Sequence, residues 1–222
     1  METGGRESER RHTLNLLLTR GLVPFFASST LYFLLWLPED NPSCNSALAK
    51  CLPILCLALF VHESAPSGPY GLFVWLGLLC SALGDIVLTW PNLFPFGLVA
   101  FALAYLFYLM ALGWHPIRQA LLEPVIAIFI LYFGLLYPHL PSSLSLLMFA
   151  YVVILGLMLW RALARGRSAA LGGLLFSISD AVQAWDTFVQ PLPSGRMIIM
   201  VTYYTAQALL ALSTVEDRPT QS

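Results

Sequence analysis

Runs of about 17 to 21 mostly apolar residues recur eight times along the chain, at 21–38, 46–62, 70–90, 93–113, 121–138, 142–162, 168–188 and 197–214. At a rise of about 1.5 Å per residue, each run is long enough as a helix to cross a hydrocarbon core of about 30 Å. The intervals carry helix-ending chemistry: PEDNPS at 38–43, HESAPSGP at 62–69, WPN at 90–92, HPIRQ at 115–119, RGRS at 165–168 and QPLPSGR at 190–196. The pattern predicts an all-α fold, a polytopic membrane bundle of eight transmembrane helices over residues 21–214. Short tails at 1–20 and 215–222 flank it, and no interval is long enough for a second domain.

Composition points the same way. Of 222 residues, 58% are hydrophobic and 10% charged, with a mean hydropathy of +0.75, more apolar surface than a soluble domain of this length can hide. A net charge of −1 offers no basic patch for nucleic acid. The opening METGGRESERRH mixes acids with arginines, as a cytoplasmic tail does and a signal peptide does not, and Glu2 excludes myristoylation. Counting basic residues sets the orientation. With the N-terminus in the cytoplasm, Arg6, Arg10, Arg11, Arg20, Arg118, Arg161, Arg165, Arg167 and Arg218 face that side and only Arg196 faces the other. Both termini are therefore expected in the cytoplasm. Cys51, Cys56 and Cys80 fall inside apolar runs and Cys44 in a loop, a distribution of free thiols with no disulfide framework and no zinc-ligand spacing.

Ionisable residues inside the runs change the picture from a fold to a site. Lys50, Asp85, Glu123, Asp180 and Asp186 are such residues. Each costs on the order of 3 kcal/mol in hydrocarbon, so they normally face a bundle interior or an aqueous cavity. Counting depth along alternating helices brings Lys50, Asp85 and Asp180 to the outer, lumen-side half, together with Tyr203, Tyr204 and Gln207. Glu123 falls near the cytoplasmic interface, where it is solvated. Helical rotation aligns Ser81, Asp85 and Thr89 on one stripe and Ser177, Asp180, Ala184 and Thr187 on another, with Gln183 at its edge, so hydroxyls flank each aspartate. Asp186 lies about 120° round from Asp180 and faces elsewhere. Tyr203 and Gln207 align at i, i+4. His12, His62, His115 and His139 all fall in tails or loops and read as surface residues. The competing reading of the acids is a structural polar network between helices, and of the tyrosines an interfacial anchor.

Four stretches in this order, K-C-L-P at 50–53, S-A-L-G-D at 81–85, L-L-F-S-I-S-D at 174–180 and T-Y-Y-T-A-Q at 202–207, resemble the lysoplasmalogenase family of multi-pass membrane proteins, the YhhN-like group. The likeness extends over about 20–214, and W-L-P-E-D at 36–40 with A-W-D-T-F-V-Q-P-L-P at 184–193 is similar to the mammalian members of the endoplasmic reticulum. The resemblance implies hydrolysis of the vinyl ether bond of lysoplasmalogens to a fatty aldehyde and glycerophosphoethanolamine or glycerophosphocholine. It implies Asp85 and Asp180 as the active-site acids, with Lys50, Tyr203, Tyr204 and Gln207 around the substrate. It calls for no metal or cofactor, and its partners are the lysolipid and the bilayer. In FALAYLFY, Tyr105 stands where relatives often carry a histidine, and relatives also vary at Asp186.

The chemistry suits two carboxyl groups. Protonation of the alkene carbon gives an oxocarbenium ion that water captures, a division between acid and base that glycosidases use on a related cation. Two aspartates in one sparingly hydrated cavity resist ionising together, so one keeps a proton, and Lys50 beside either would designate the other as donor. A phosphate at the lumenal side would meet Lys50 or Arg196. The principal rival is a proton-coupled small-molecule or lipid transporter, since membrane acids also bind ions, although no duplicated halves are evident. An intramembrane aspartyl protease fits poorly: A-L-G-D at 82–85 is one residue from its G-x-G-D, and the companion Y-D and P-A-L motifs are missing.

Overall fold

A computed structural model describes residues 20–38, 42–65 and 68–216. Most of the two predicted tails, and with them His12, Arg6, Arg10, Arg11 and Arg218, lie outside the described residues. The described residues form eight α-helices and no strand: α1 (Arg20–Leu35), α2 (Cys44–Ser64), α3 (Pro69–Leu88), α4 (Phe94–Leu112), α5 (Gln119–Leu136), α6 (Ser142–Arg165), α7 (Arg167–Phe188) and α8 (Gly195–Glu216). Each coincides with a predicted segment to within about three residues.

Local chemistry fixes the ends. Ser43 caps α2, its hydroxyl accepting from Ser46 N while the Ser46 hydroxyl accepts from Ser43 N, a reciprocal capping box. Proline in the first turn opens α3 and α4, where its missing N–H costs nothing. Gly113 closes α4 with φ of 69°, a left-handed conformation that a side chain disfavours.

Six helices are long and apolar enough to cross a bilayer: α2, α3, α4 with its preceding turn, α5 with its following turn, α6 and α8. The other two fall short for different reasons. The described part of α1 is short. Helix α7 has 22 residues, but Arg167, Asp180, Gln183 and Asp186 together with its serines and glycines lower its hydropathy. Its polarity comes in part from side chains that turn inward.

Helix packing defines a ring. Neighbours run α2, α3, α4, α6, α7, α8, and α8 closes on α2. Helix α5 leans on the outside of α6 with only Val125 and Leu136 buried. Helix α1 packs against α2 and α8 through Phe25, Tyr32 and Phe33 on Tyr204, and through Ser28 near Cys56. Small residues permit the closest approaches. A Cβ on Gly173 would lie 2.8 Å from that of Ala162 on α6, and one on Gly172 would lie 3.1 Å from the Ala206 carbonyl on α8.

One end of the bundle is tied by arginine. Arg161, 1% exposed, donates from Nε to the Gly113 carbonyl at 2.6 Å and from Nη1 to the Pro116 carbonyl at 2.8 Å. Trp160 Nε1 donates to the Arg118 carbonyl at 2.9 Å, and Arg165 lies 4.6 Å over the Tyr70 ring. Arg196 sits at the opposite end, hydrogen-bonded to Tyr32. The described arginines thus divide between the two ends as the sequence predicts.

Removing the buried guanidinium leaves two loop carbonyls without their charged donor, a loss of about 3 kcal/mol. Arg161→Met is expected to lower the melting temperature of the detergent-solubilised protein by several degrees in a fluorescence melt. An unchanged melt would show that the α4–α5 loop does not depend on this residue.

Candidate active site

Asp85 lies one turn before the end of α3, on the face that also buries Gly77, Ser81 and Gly84. The missing side chain at Gly84 matters because a Cβ there would lie 2.6 Å from the Phe101 ring, which packs directly beside it. Asp180 lies in the second half of α7, whose Gly172 and Gly173 bring it close to its neighbours and whose Ser179 hydroxyl donates to the Ile199 carbonyl of α8 at 3.0 Å. Helices α3 and α7 are not neighbours in the ring, so their carboxyl groups approach from separate walls.

Both aspartates line one cavity of about 60 Å³, together with Lys50, Tyr151, Gln183 and Tyr203 and an apolar wall that includes Leu98, Phe101 and Met148. Lys50 belongs to α2, and its charge acts on Asp85. Lys50, Leu88, Phe94 and Gln183 also line a second, more polar cavity of about 220 Å³ adjoining the first, which Arg196, Tyr32, Ser46, Thr89 and Thr187 share. The inner chamber therefore adjoins a polar vestibule at the end of the bundle where Arg196 lies.

Each carboxyl group is held by phenols. Tyr203 Oη donates to Asp85 Oδ2 at 2.7 Å. Asp180 Oδ2 accepts from Tyr151 Oη at 2.5 Å and from Tyr105 Oη, and the two phenol oxygens are 3.0 Å apart. The flanking hydroxyls predicted to orient the acids do other work. Ser81 and Ser177 donate to the carbonyls of Gly77 and Gly173, and Thr89 to the backbone carbonyl of Asp85, as hydroxyls in apolar helices do when the preceding turn is the nearest acceptor.

The remaining predicted residues form the support behind this chamber. Gln207 is fully buried; its Oε1 accepts from Tyr108 Oη at 2.6 Å, and its Nε2 has no hydrogen-bond partner among the described residues. Tyr204 donates from Oη to the Lys50 carbonyl at 2.8 Å, holding the α2 backbone next to Pro53, whose ring deprives the preceding turn of a donor. Neither side chain lines the cavity, whereas Lys50, Asp85, Asp180 and Tyr203 do.

Sequence reasoning missed Tyr151 and Tyr108 and noted Tyr105 only as a departure. A signal existed: Phe101, Tyr105 and Tyr108 fall at i, i+4, i+7 on one face of α4, and a phenol far from either helix end needs a buried partner. These rings meet Phe176, fully buried one turn before Asp180, with centroids 5.0 Å from Tyr105, 5.5 Å from Tyr203 and 6.5 Å from Phe101. The cluster forms a buried, packed aromatic floor beside the acids.

Residues outside the chamber also find their places. Asp186 Oδ1 accepts from Leu192 N at 2.7 Å and ties the α7–α8 turn. Glu123, His62, His115 and His139 are exposed, and all four cysteines are free. Among the described residues no cluster of histidine, cysteine or carboxylate side chains could hold a metal ion.

The sequence profile of the YhhN family matches residues 45–214. Lysoplasmalogenase TMEM86B of Sus scrofa is 49% identical over 192 residues, 86% of this chain and 85% of its own length. The Homo sapiens protein of the same name is 48% identical over 198 residues, 89% of this chain and 88% of its own length. Lysoplasmalogenase TMEM86A of Homo sapiens is 40% identical over 214 residues, covering 89% of each chain. No solved structure matches the chain at a significant level. With a family match over most of its length and relatives approaching half identity, this chain belongs to the YhhN family, the family of the mammalian lysoplasmalogenases.

Proposed function

We propose that this chain is a membrane hydrolase that cleaves the vinyl ether bond of lysoplasmalogens, releasing a fatty aldehyde and glycerophosphoethanolamine or glycerophosphocholine. The observation that carries the reading is the shared chamber: two aspartates from non-adjacent helices line one small cavity, Asp85 held by one phenol and Asp180 by two. Its relatives bear the name of this activity. The aromatic floor supports a reaction chamber with its mouth at one end in preference to a carrier's path.

The roles follow from the hydrogen bonds. Both tyrosines occupy Asp180 Oδ2, so a proton on that group resides on Oδ1, which has no hydrogen bond among the described residues. Asp180 delivers this proton to the alkene carbon, and the two phenols stabilise the carboxylate as its charge develops. Asp85, with Lys50 as its counter-charge, acts as the carboxylate that faces the oxocarbenium ion and removes a proton from the attacking water. Collapse of the hemiacetal breaks the bond to the glycerol oxygen. That oxygen takes the proton from Asp85 while the hemiacetal hydroxyl returns one to Asp180, and the site is restored.

The same reading places all eight helices across the endoplasmic reticulum membrane, with α7 accommodated because its polar residues turn into the ring. Both tails face the cytoplasm, with the vestibule at the lumenal face. The alkenyl chain lies among apolar side chains, and its ether linkage reaches the depth of the acids.

Purified protein is expected to release aldehyde from a lysoplasmalogen and none from the saturated alkyl ether analogue. Asp85→Asn and Asp180→Asn should each reduce kcat by about 10³-fold while melting like the parent, the range expected when a general acid or base is removed. Full activity in either variant would remove that residue from the mechanism. In D2O, aldehyde trapped by reduction should carry one deuterium at the carbon next to the former carbonyl, and its absence would exclude carbon protonation.

Tyr151→Phe and Tyr105→Phe each remove one donor from Asp180 without removing a ring. Each is expected to lower kcat by about 10- to 100-fold, the weight of a hydrogen bond to a charged group. Unaltered steady-state kinetics in the double variant would show that the phenols play no part in the reaction.

A further inference from the structure

We infer that Gln207 is a positioning residue for Asp85: with Tyr108 behind it and Tyr203 in front, it completes a one-way line of donors that keeps Asp85 a proton acceptor. The inference rests on the hydrolase reading above and adds to it a reason for the division of labour between the two acids. Gln207 does not line the chamber, whereas Tyr203 does, so Gln207 acts through that phenol.

The direction of the line follows from counting protons. Ser81 donates its only hydroxyl proton to the Gly77 carbonyl at 2.9 Å. Tyr108 Oη lies 3.4 Å from Ser81 Oγ and 2.6 Å from Gln207 Oε1, so its single proton goes to the amide oxygen. With Oε1 accepting from Tyr108, the amide keeps Nε2 as its donor. Nε2 has no hydrogen bond of its own among the described residues, and Gln207 acts at close range on the Tyr203 phenol, one turn earlier on α8. Tyr203 in turn gives its one proton to Asp85 Oδ2 at 2.7 Å, which leaves its oxygen lone pairs for an amide donor. The reverse amide orientation would leave the Tyr108 proton only Ser81 Oγ at 3.4 Å and set Oε1 in competition with Asp85 for the Tyr203 proton.

Burial gives the line its weight. Gln207 and Ser81 are fully buried, and Tyr108, Tyr203 and Asp85 are at most 4% exposed, so bulk water does not compete for these groups. The arrangement at Asp180 differs. Its two phenols, from α4 and α6, end on one carboxylate oxygen and lie 3.0 Å from each other. The donors behind Asp85 follow one another across α4 and α8, and each points toward that acid. The asymmetry fits Asp85 as the group that takes a proton from water and Asp180 as the group that gives one.

The test is a double-mutant cycle on aldehyde release from lysoplasmenylethanolamine by the full chain in detergent. Gln207→Met keeps the side chain's length; it should lower kcat about tenfold and leave KM within about twofold of the parent. In a Tyr203→Phe background the same substitution should change kcat by less than about twofold. Tyr108→Phe combined with Gln207→Met leaves neither partner orphaned, and it should turn over like Gln207→Met alone. An unchanged kcat, an equal loss in both backgrounds or a raised KM at constant kcat would each overturn the inference, because Gln207 would then not work through Tyr203.

A second measurement needs neither turnover nor a folded Gln207 variant. In the full chain labelled at glutamine side-chain nitrogen for NMR, the buried Gln207 amide protons should be the slowest of their kind to exchange into D2O. Tyr203→Phe and Tyr108→Phe should each shift that signal. An amide signal unmoved by Tyr203→Phe would sink the line of donors and leave the hydrolase standing. Shifted signals in a chain that releases no aldehyde would remove the hydrolase and leave the line of donors.

Discussion

The structure depends on keeping two carboxyl groups inside a bundle of apolar helices, where an unpaired charge would be prohibitive. Phenols resolve this. Tyr203 from α8 meets Asp85, and Tyr105 from α4 with Tyr151 from α6 meets Asp180, so the acids of α3 and α7 are tied to three other helices of the ring. These bonds run between distant parts of the chain, 118 residues apart for Tyr203 and Asp85. They therefore hold the ring closed as well as holding the acids in place. Behind them Tyr108 and Gln207 link α4 to α8, so the support for the chamber is continuous with the core.

Much of this architecture is legible in the sequence because membrane helices obey length and punctuation rules that act locally. Eight apolar runs ended by proline, glycine and charge give eight helices with closely matching bounds. Depth counting brings Lys50, Asp85, Asp180 and Tyr203 to one cavity, because alternating directions fix which half of each helix lies at which end. Rotation alone also turns Asp186 away from Asp180, and it ends at the α7–α8 turn.

Lateral order is what sequence does not contain. Nothing in α6 announces that Tyr151 will face Asp180, and nothing in α4 reveals that Tyr105 and Tyr108 serve different partners. The local stripes suggest serine and threonine as escorts for the acids. In a helix those hydroxyls have a carbonyl one turn back within reach, and that nearer acceptor wins. The supporting positions of Tyr204 and Gln207 are hidden for a similar reason, since an i, i+4 stripe fixes a face of α8 but not how deep its neighbours reach.

The aromatic floor around Phe176 has a consequence for traffic. On the hydrolase reading proposed above, that packed side would leave the polar vestibule as the way out for the glycerophospho fragment, while a long-chain aldehyde, being apolar, would partition into lipid. A reactive electrophile would thereby be held in the bilayer and away from water.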